Sequence, residues 1–159
     1  MGPDKSVRFQ PLSDADSPHR VDEASRILRE RGFRATRPRL AILAALLAAC
    51  RPLSAPELIA MLAKTGIDCT TVYRALDTFV KEEIARPVGT LARGRRFEIY
   101  APYGAPSLHP HVQCRSCGIM ACIEQNLLLA PALPFDARGF LVERTDLYLL
   151  GWCTKCRAE

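Results

Sequence analysis

Two cysteine pairs at fixed short spacing, Cys114-Arg115-Ser116-Cys117 and Cys153-Thr154-Lys155-Cys156, constrain this chain more than any other feature. A C-x-x-C turn converges two sulfurs on one point. Two such turns supply four soft ligands, which suit tetrahedral Zn²⁺ and leave no open position. Residues 118–152 separate the pairs, more than the usual ribbon spacing, so a strand or helix must return the second pair to the first. The reading is one structural zinc ion per chain at Cys114, Cys117, Cys153 and Cys156. Two alternatives stay open here: a redox dithiol, which normally sits in a βαβ context, and disulfides, which suit a secreted chain.

The chain has 159 residues, 48% of them hydrophobic, enough for one ordinary domain or two small ones. Seven cysteines without a secretory signal pattern point to the reducing cytoplasm. No apolar run approaches a membrane span, so no membrane partner is expected. The net charge of +5 is unevenly placed: residues 33–97 hold 11 basic and 5 acidic side chains, and the flanking segments are close to neutral. A basic segment inside a neutral chain is the footprint of a polyanion binder.

Residues 1–20 carry Pro3, Pro11 and Pro18 among Ser and Asp without periodicity, and read as a mobile tail. A helix follows over 21–31, with Gly32 as its stop. A second begins near Thr36, with Pro38 in its first turn and Leu40, Leu43, Ala44 and Leu47 as its buried face. Arg34, Arg37 and Arg39 cluster at its start, where the helix dipole attracts phosphate. The third helix opens with a capping box, Ser54-Ala55-Pro56-Glu57, and ends near Gly66.

The fourth helix, expected over 70–83, has two chemically different faces. Val72, Ala75, Leu76, Phe79 and Val80 form the apolar one, and Thr70, Arg74, Asp77 and Lys81 the polar one, with Tyr73 at the border. This is a helix-turn-helix layout, in which the first turns of the second helix reach base edges. An ordinary amphipathic helix would show the same pattern. Strands expected over 84–88 and 96–100 flank a hairpin tip with Arg93 and Arg95, and three helices followed by a basic hairpin make a winged helix. Arginines at such a tip contact phosphates or enter a minor groove. Residues 101–108 read as a Pro/Gly linker. Strands are expected at 112–114, 119–123 and 140–150, and residues 127–133 are helical in pattern but interrupted by Pro131 and Pro134.

Taken in order, these segments resemble the ferric uptake regulator family of bacterial metal-responsive repressors. The resemblance is carried by residues 32–39, 54–58, 71–76, 96–98, 109–118 and 147–156, spanning about 22 to 156. It implies an α+β protein: a tail at 1–20, a winged-helix DNA-binding domain at 21–101, a hinge at 102–108, and a small α/β dimerisation and zinc-binding domain at 109–159. It implies a homodimer on a palindromic double-stranded operator, and agrees with the four-cysteine structural zinc. It assigns Tyr73 and Arg74 to the DNA-reading helix, and together with the reading of the residues themselves the expected DNA contacts are Arg37, Arg39, Thr70, Thr71, Tyr73, Arg74, Arg93 and Arg95. For Tyr73 the alternative is packing against the wing.

The departures from the family pattern concern sensing. Leu108 and Pro110 interrupt the histidine run before the first cysteine pair. Arg138 and Thr145 stand where histidines are frequent, and no histidine follows His111. One of the usual regulatory sites is therefore expected to be missing. A second site remains, from Glu98, His109, His111 and Cys122, for a regulatory Zn or Fe ion. A Cys/His/His/carboxylate set favours zinc over iron. The plain alternatives are a metal-free loop for the histidines and a small buried hydrophobe for Cys122. Cys50 and Cys69 read as core or cap-region thiols.

The expectation is thus a cytoplasmic, non-enzymatic, zinc-sensing transcriptional repressor of metal-homeostasis genes. It has no membrane partner and no small-molecule substrate other than a metal ion. Within the class, the rival senses iron, peroxide or nothing and uses zinc only for structure. Outside it stand a thiol-disulfide redox protein using one C-x-x-C and a zinc-ribbon interaction module without DNA binding.

Overall fold

The computed structural model describes residues 17–49, 51–89, 94–100, 109–123, 136–137, 140–141 and 146–157. It divides between residues 105 and 106 into two units. Outside the described residues lie the tail up to 16, the expected hinge at 102–108, Cys50, Arg93, the ambiguous stretch 127–133, Arg138 and Thr145.

The N-terminal unit is assembled around α2 (Arg37–Ala49). Spacing predicts one buried face, yet every residue from Ile42 to Ala49 is buried. The cause is its neighbours: α1 (Pro18–Glu30), α3 (Ala55–Met61), α4 (Cys69–Lys81) and strand β3 (Arg96–Ile99) all pack on it. A helix apolar all round belongs in the middle of a core.

α1 starts inside the stretch expected to be a tail, with Pro18 at its first position, where a missing N–H is harmless. It stops at Gly32, whose left-handed φ of 75° lets the Phe33 N–H donate to the Leu28 carbonyl at 2.8 Å. α3 carries its capping box: Ser54 Oγ accepts from the Glu57 N–H, and Glu57 Oε2 accepts from the Ser54 N–H at 2.8 Å. A 3₁₀ turn (Ala63–Thr65) and Gly66 (φ 73°) then lead to α4. That helix begins one residue before the expected Thr70 because Asp68 caps it, accepting from the Thr71 N–H at 2.9 Å. Val72, Ala75, Leu76 and Phe79 are its buried face, as the periodicity predicts.

At the end of α4 the chain reverses through Glu83, which holds a φ of 53° without being glycine. The Ile84 N–H donates to the Phe79 carbonyl at 2.8 Å, and strand β2 (Ala85–Val88) follows at once. β2 pairs antiparallel with β3, whose other edge takes the two-residue strand β1 (Leu53–Ser54), giving the order β1-β3-β2. Pro87 is tolerated because β2 is an edge strand. Helices α1 to α4 with this hairpin are a winged helix.

In the C-terminal unit β4 (His111–Cys114) lies between antiparallel β5 (Met120–Cys122) and parallel β8 (Tyr148–Gly151). The expected single strand over 140–150 is two. β7 (Phe140–Leu141) pairs with β6 (Asp136–Ala137) in a separate ladder, and Asp146 and Leu147 are outside any strand. Alternation runs through both halves of that stretch in sequence, so it does not reveal that they serve different sheets. A short helix, α5 (Thr154–Arg157), ends the described chain.

Candidate metal centres and nucleic-acid interface

The parallel pairing of β8 with β4 solves the spacing problem posed by residues 118–152. It sets Gly151 opposite Cys114, and Arg115 N–H donates to the Gly151 carbonyl at 2.8 Å. Cys153 therefore emerges beside the first pair, and α5 presents Cys156 one turn later. On the other side Gly118, at φ 73°, closes the first turn, its N–H donating to the Cys114 carbonyl at 3.1 Å. The sulfurs of Cys114, Cys117, Cys153 and Cys156 all lie within 4.8 Å of one another. All four are free thiols, and Cys117 Sγ is 3.8 Å from Cys153 Sγ. A tetrahedron with Zn–S bonds of about 2.3 Å has edges of about 3.8 Å. The four residues fit zinc without rearranging the fold.

Local electrostatics already favour one thiolate. The Cys153 backbone N–H donates to Cys114 Sγ at 3.4 Å and, with the N–H groups of Cys117 and Ser116, draws the Cys114 thiol down to about 6. Cys156 goes the other way. A hydrogen bond with Ser116 pulls it down, but the sulfurs of Cys153, Cys117 and Cys114 and partial burial outweigh this and raise it to about 11. A second and third negative charge in so small a space are opposed until a dication arrives, so metal uptake must release protons.

A second donor set lies on the same sheet. The register places Cys122 and Tyr148 directly opposite His111, one on each side of β4. His109, just before the strand, brings its ring centroid to 4.5 Å from that of His111. The ligand atoms of His109, His111 and Cys122 fall within 4.8 Å of one another. His111 is buried, and Tyr148 stacks against it at 5.8 Å. Neither histidine is on an open surface loop. The fourth residue expected here, Glu98, belongs to the N-terminal unit. It is buried on β3 and accepts from Arg86 Nε at 2.6 Å and from Arg86 Nη2.

In the N-terminal unit, α4 turns Thr70, Tyr73, Arg74, Asp77 and Lys81 outward. Tyr73 is 50% exposed, which separates it from the packed aromatic it would be if it served only the wing. The Thr71 hydroxyl donates to the Asp68 carboxylate, whose other oxygen accepts from the Thr71 N–H and caps the helix. The Thr71 hydroxyl and N–H hold the Asp68 carboxyl below its ordinary range. At the start of α2, Arg37 is exposed, and Arg39 lies over the Phe33 ring at 5.1 Å while donating to the Arg34 carbonyl. Arg95 emerges at the base of the hairpin, half exposed.

Sequence reasoning missed the network that ties the hairpin to the helices. Glu57 accepts from Arg51, and also from Arg96, whose side chain lies 9% exposed under the sheet. Burial alone would raise the Glu57 carboxyl. The Ser54 N–H and hydroxyl, Arg51 and the charge of Arg96 together outweigh it and hold the group at about 2. The capping-box motif announces the Ser54 part, whereas no local signal announces Arg96, which arrives across the β1–β3 pairing.

With this geometry in place, residues 30–149 match the model of the Ferric uptake regulator family. The chain is 29% identical over 133 residues to the transcriptional regulator FurA of Mycobacterium tuberculosis (strain ATCC 25618 / H37Rv), covering 81% of this chain and 86% of that protein. Among solved structures, the ferric uptake regulator of Vibrio cholerae is similar with a TM-score of 0.62 at 28% identity, covering 81% of this chain and 98% of that one. A zinc-bound manganese uptake regulator is similar with a TM-score of 0.60 at 25% identity, with coverage of 81% and 98%.

Proposed function

Because the chain belongs to the ferric uptake regulator family, and is therefore a metal-responsive, DNA-binding transcriptional regulator rather than an enzyme, we propose that it is a zinc-sensing repressor of metal-homeostasis genes acting in the cytoplasm. One observation carries the sensing part. The C-terminal unit has two donor sets of different kind, a closed four-sulfur set and a mixed set of His109, His111 and Cys122. A closed Cys₄ site holds structure, whereas two imidazoles and a thiolate leave a position open and suit zinc better than iron. The sequence reading adds Glu98 as the carboxylate of the second set.

The DNA-contacting residues are Arg37 and Arg39 at the start of α2, Thr70, Thr71, Tyr73 and Arg74 on α4, and Arg95 at the base of the hairpin, with Arg93 added from the sequence. Exposure of the α4 face supports the assignment, as does the concentration of positive charge in this part of the chain. A homodimer on a palindromic operator is supported by the exposed apolar side chains around β8, where Leu149, Leu150 and Trp152 face solvent in the single chain. The regulatory metal acts by its difference in affinity between DNA-competent and DNA-incompetent arrangements.

The test measures metal content and operator affinity of the full-length protein together, across added Zn²⁺, Fe²⁺ and Mn²⁺. Zinc should bind at two ions per chain and be the metal that tightens DNA binding. Tightening by iron alone would assign the protein to the iron-responsive branch. Unchanged affinity with every metal would leave zinc a purely structural role.

A further inference from the structure

Resting on the reading of α4 and the β2–β3 hairpin as the DNA-binding face, we propose that Asp77 is a positioning residue for DNA binding. Together with the Phe97 ring, it holds the Arg95 guanidinium in place for the phosphate backbone.

An acidic side chain is unexpected where Asp77 stands. It is 74% exposed on the same outward face of α4 as Tyr73, Arg74 and Lys81, so no packing role accounts for it. Facing a polyanion, a carboxylate repels. Taken alone, it should weaken the very contact the helix is there to make. Its surroundings supply a reason for the charge. Arg95 Nη1 lies 3.9 Å from Asp77 Oδ1, and the Arg95 guanidinium carbon sits 5.4 Å from the centroid of Phe97.

The alternation of β3, carried back one residue to Arg95, explains why that side chain arrives there. Side chains two apart share a face, so Arg95 and Phe97 lie on one side of the ribbon. Arg96 turns to the other, where it donates to Glu57 and to the Pro52 carbonyl. Two adjacent arginines thus divide their work. Arg96 is buried and structural, and Arg95 is half exposed, with a ring below it at 5.4 Å and a carboxylate of the helix 3.9 Å away.

An exposed ion pair of this length contributes little to folding stability. Its effect on binding is different in kind. A long side chain that must be ordered on docking weakens association, and one already restrained near its bound position does not. Cation–π contact alone leaves the guanidinium free to slide across the ring. The carboxylate, 3.9 Å away, draws it to one side by charge rather than by a hydrogen bond, and in the complex a phosphate oxygen takes over as the stronger partner of the same guanidinium.

The two effects of Asp77 have opposite signs, which makes the idea testable by a double-mutant cycle. The probe is a duplex selected from a random-sequence pool by the wild-type full-length protein with saturating Zn²⁺, and affinity is read across a salt series. If Asp77 positions Arg95, Asp77→Ala should weaken binding about three- to tenfold and make the salt dependence shallower by about one counterion. Its thermal unfolding should match that of the parent. In an Arg95→Ala background the same change should strengthen binding, because only the repulsion is then removed. Asp77→Ala that binds as tightly as the parent or more tightly would overturn the proposal. So would an equal effect of Asp77→Ala in both backgrounds. If the wild-type protein selects no duplex at all, the DNA-binding reading has failed, and the cycle does not arise.

Discussion

Glu57 shows how much one side chain can join. Its carboxylate closes the capping box of α3, receives Arg51 from the preceding turn, and receives Arg96 from the strand that follows the hairpin tip. The group sits at about 2 when folded, against an ordinary 4.5. A depressed carboxyl pKa stabilises the fold fully above the unfolded value and loses that contribution as pH falls through the folded one. Stability should therefore decline between about pH 4.5 and pH 2. Glu57→Gln should remove this part of the acid dependence and lower stability at pH 7 by about 2 kcal/mol, allowing for partial exposure. Urea unfolding of both proteins at stepped pH measures it. The Arg86–Glu98 pair is more deeply buried, its side chains 8% and 6% exposed. Arg86→Gln removes the cation of this buried pair and should lose about 3–5 kcal/mol in the same assay.

At the scale of elements, the joint between α4 and β2 holds Glu83 at a φ of 53°. A side chain there strains a left-handed residue, while the capping bonds to Phe79 and Val80 are already made. Glu83→Gly should relieve the strain and stabilise the protein by roughly 1 kcal/mol, seen as a higher urea midpoint with an unchanged slope. Cys156→Ser removes one ligand at α5. Structural zinc is worth about 10–16 kcal/mol of apparent binding energy in small peptides, comparable to or above the stability of a whole domain. The variant should lose its structural ion by metal analysis and unfold the C-terminal unit. These elements differ in how openly the sequence declares them. The capping box, the glycine stop of α1 and the buried face of α4 are local patterns, and the cysteine spacing declares the four-sulfur set directly. The burial of α2 on all sides, the two residues of β1, the division of the 140–150 stretch and the arrival of Arg96 at Glu57 depend on partners far along the chain. Local periodicity carries no record of them.

For the whole molecule, the family assignment makes the metal response and the proposed dimer the properties that matter. Leu150 and Trp152 are 64% and 58% exposed around a strand that ends its sheet, a poor arrangement for a lone subunit. Changing both to lysine should yield monomers by sedimentation while leaving the four-cysteine zinc in place, since neither side chain is a ligand. The proposed sensor is instead the set of His109 and His111, whose rings stand 4.5 Å apart beside Cys122. The most direct measurement is operator affinity against free Zn²⁺ for the parent and for the double variant His109→Ala, His111→Ala. The variant should retain one zinc per chain and its dimeric mass, yet bind DNA with the same weak affinity at every zinc concentration. A variant whose DNA binding still tightens with zinc as the parent's does would contradict the assignment of these histidines to the sensor.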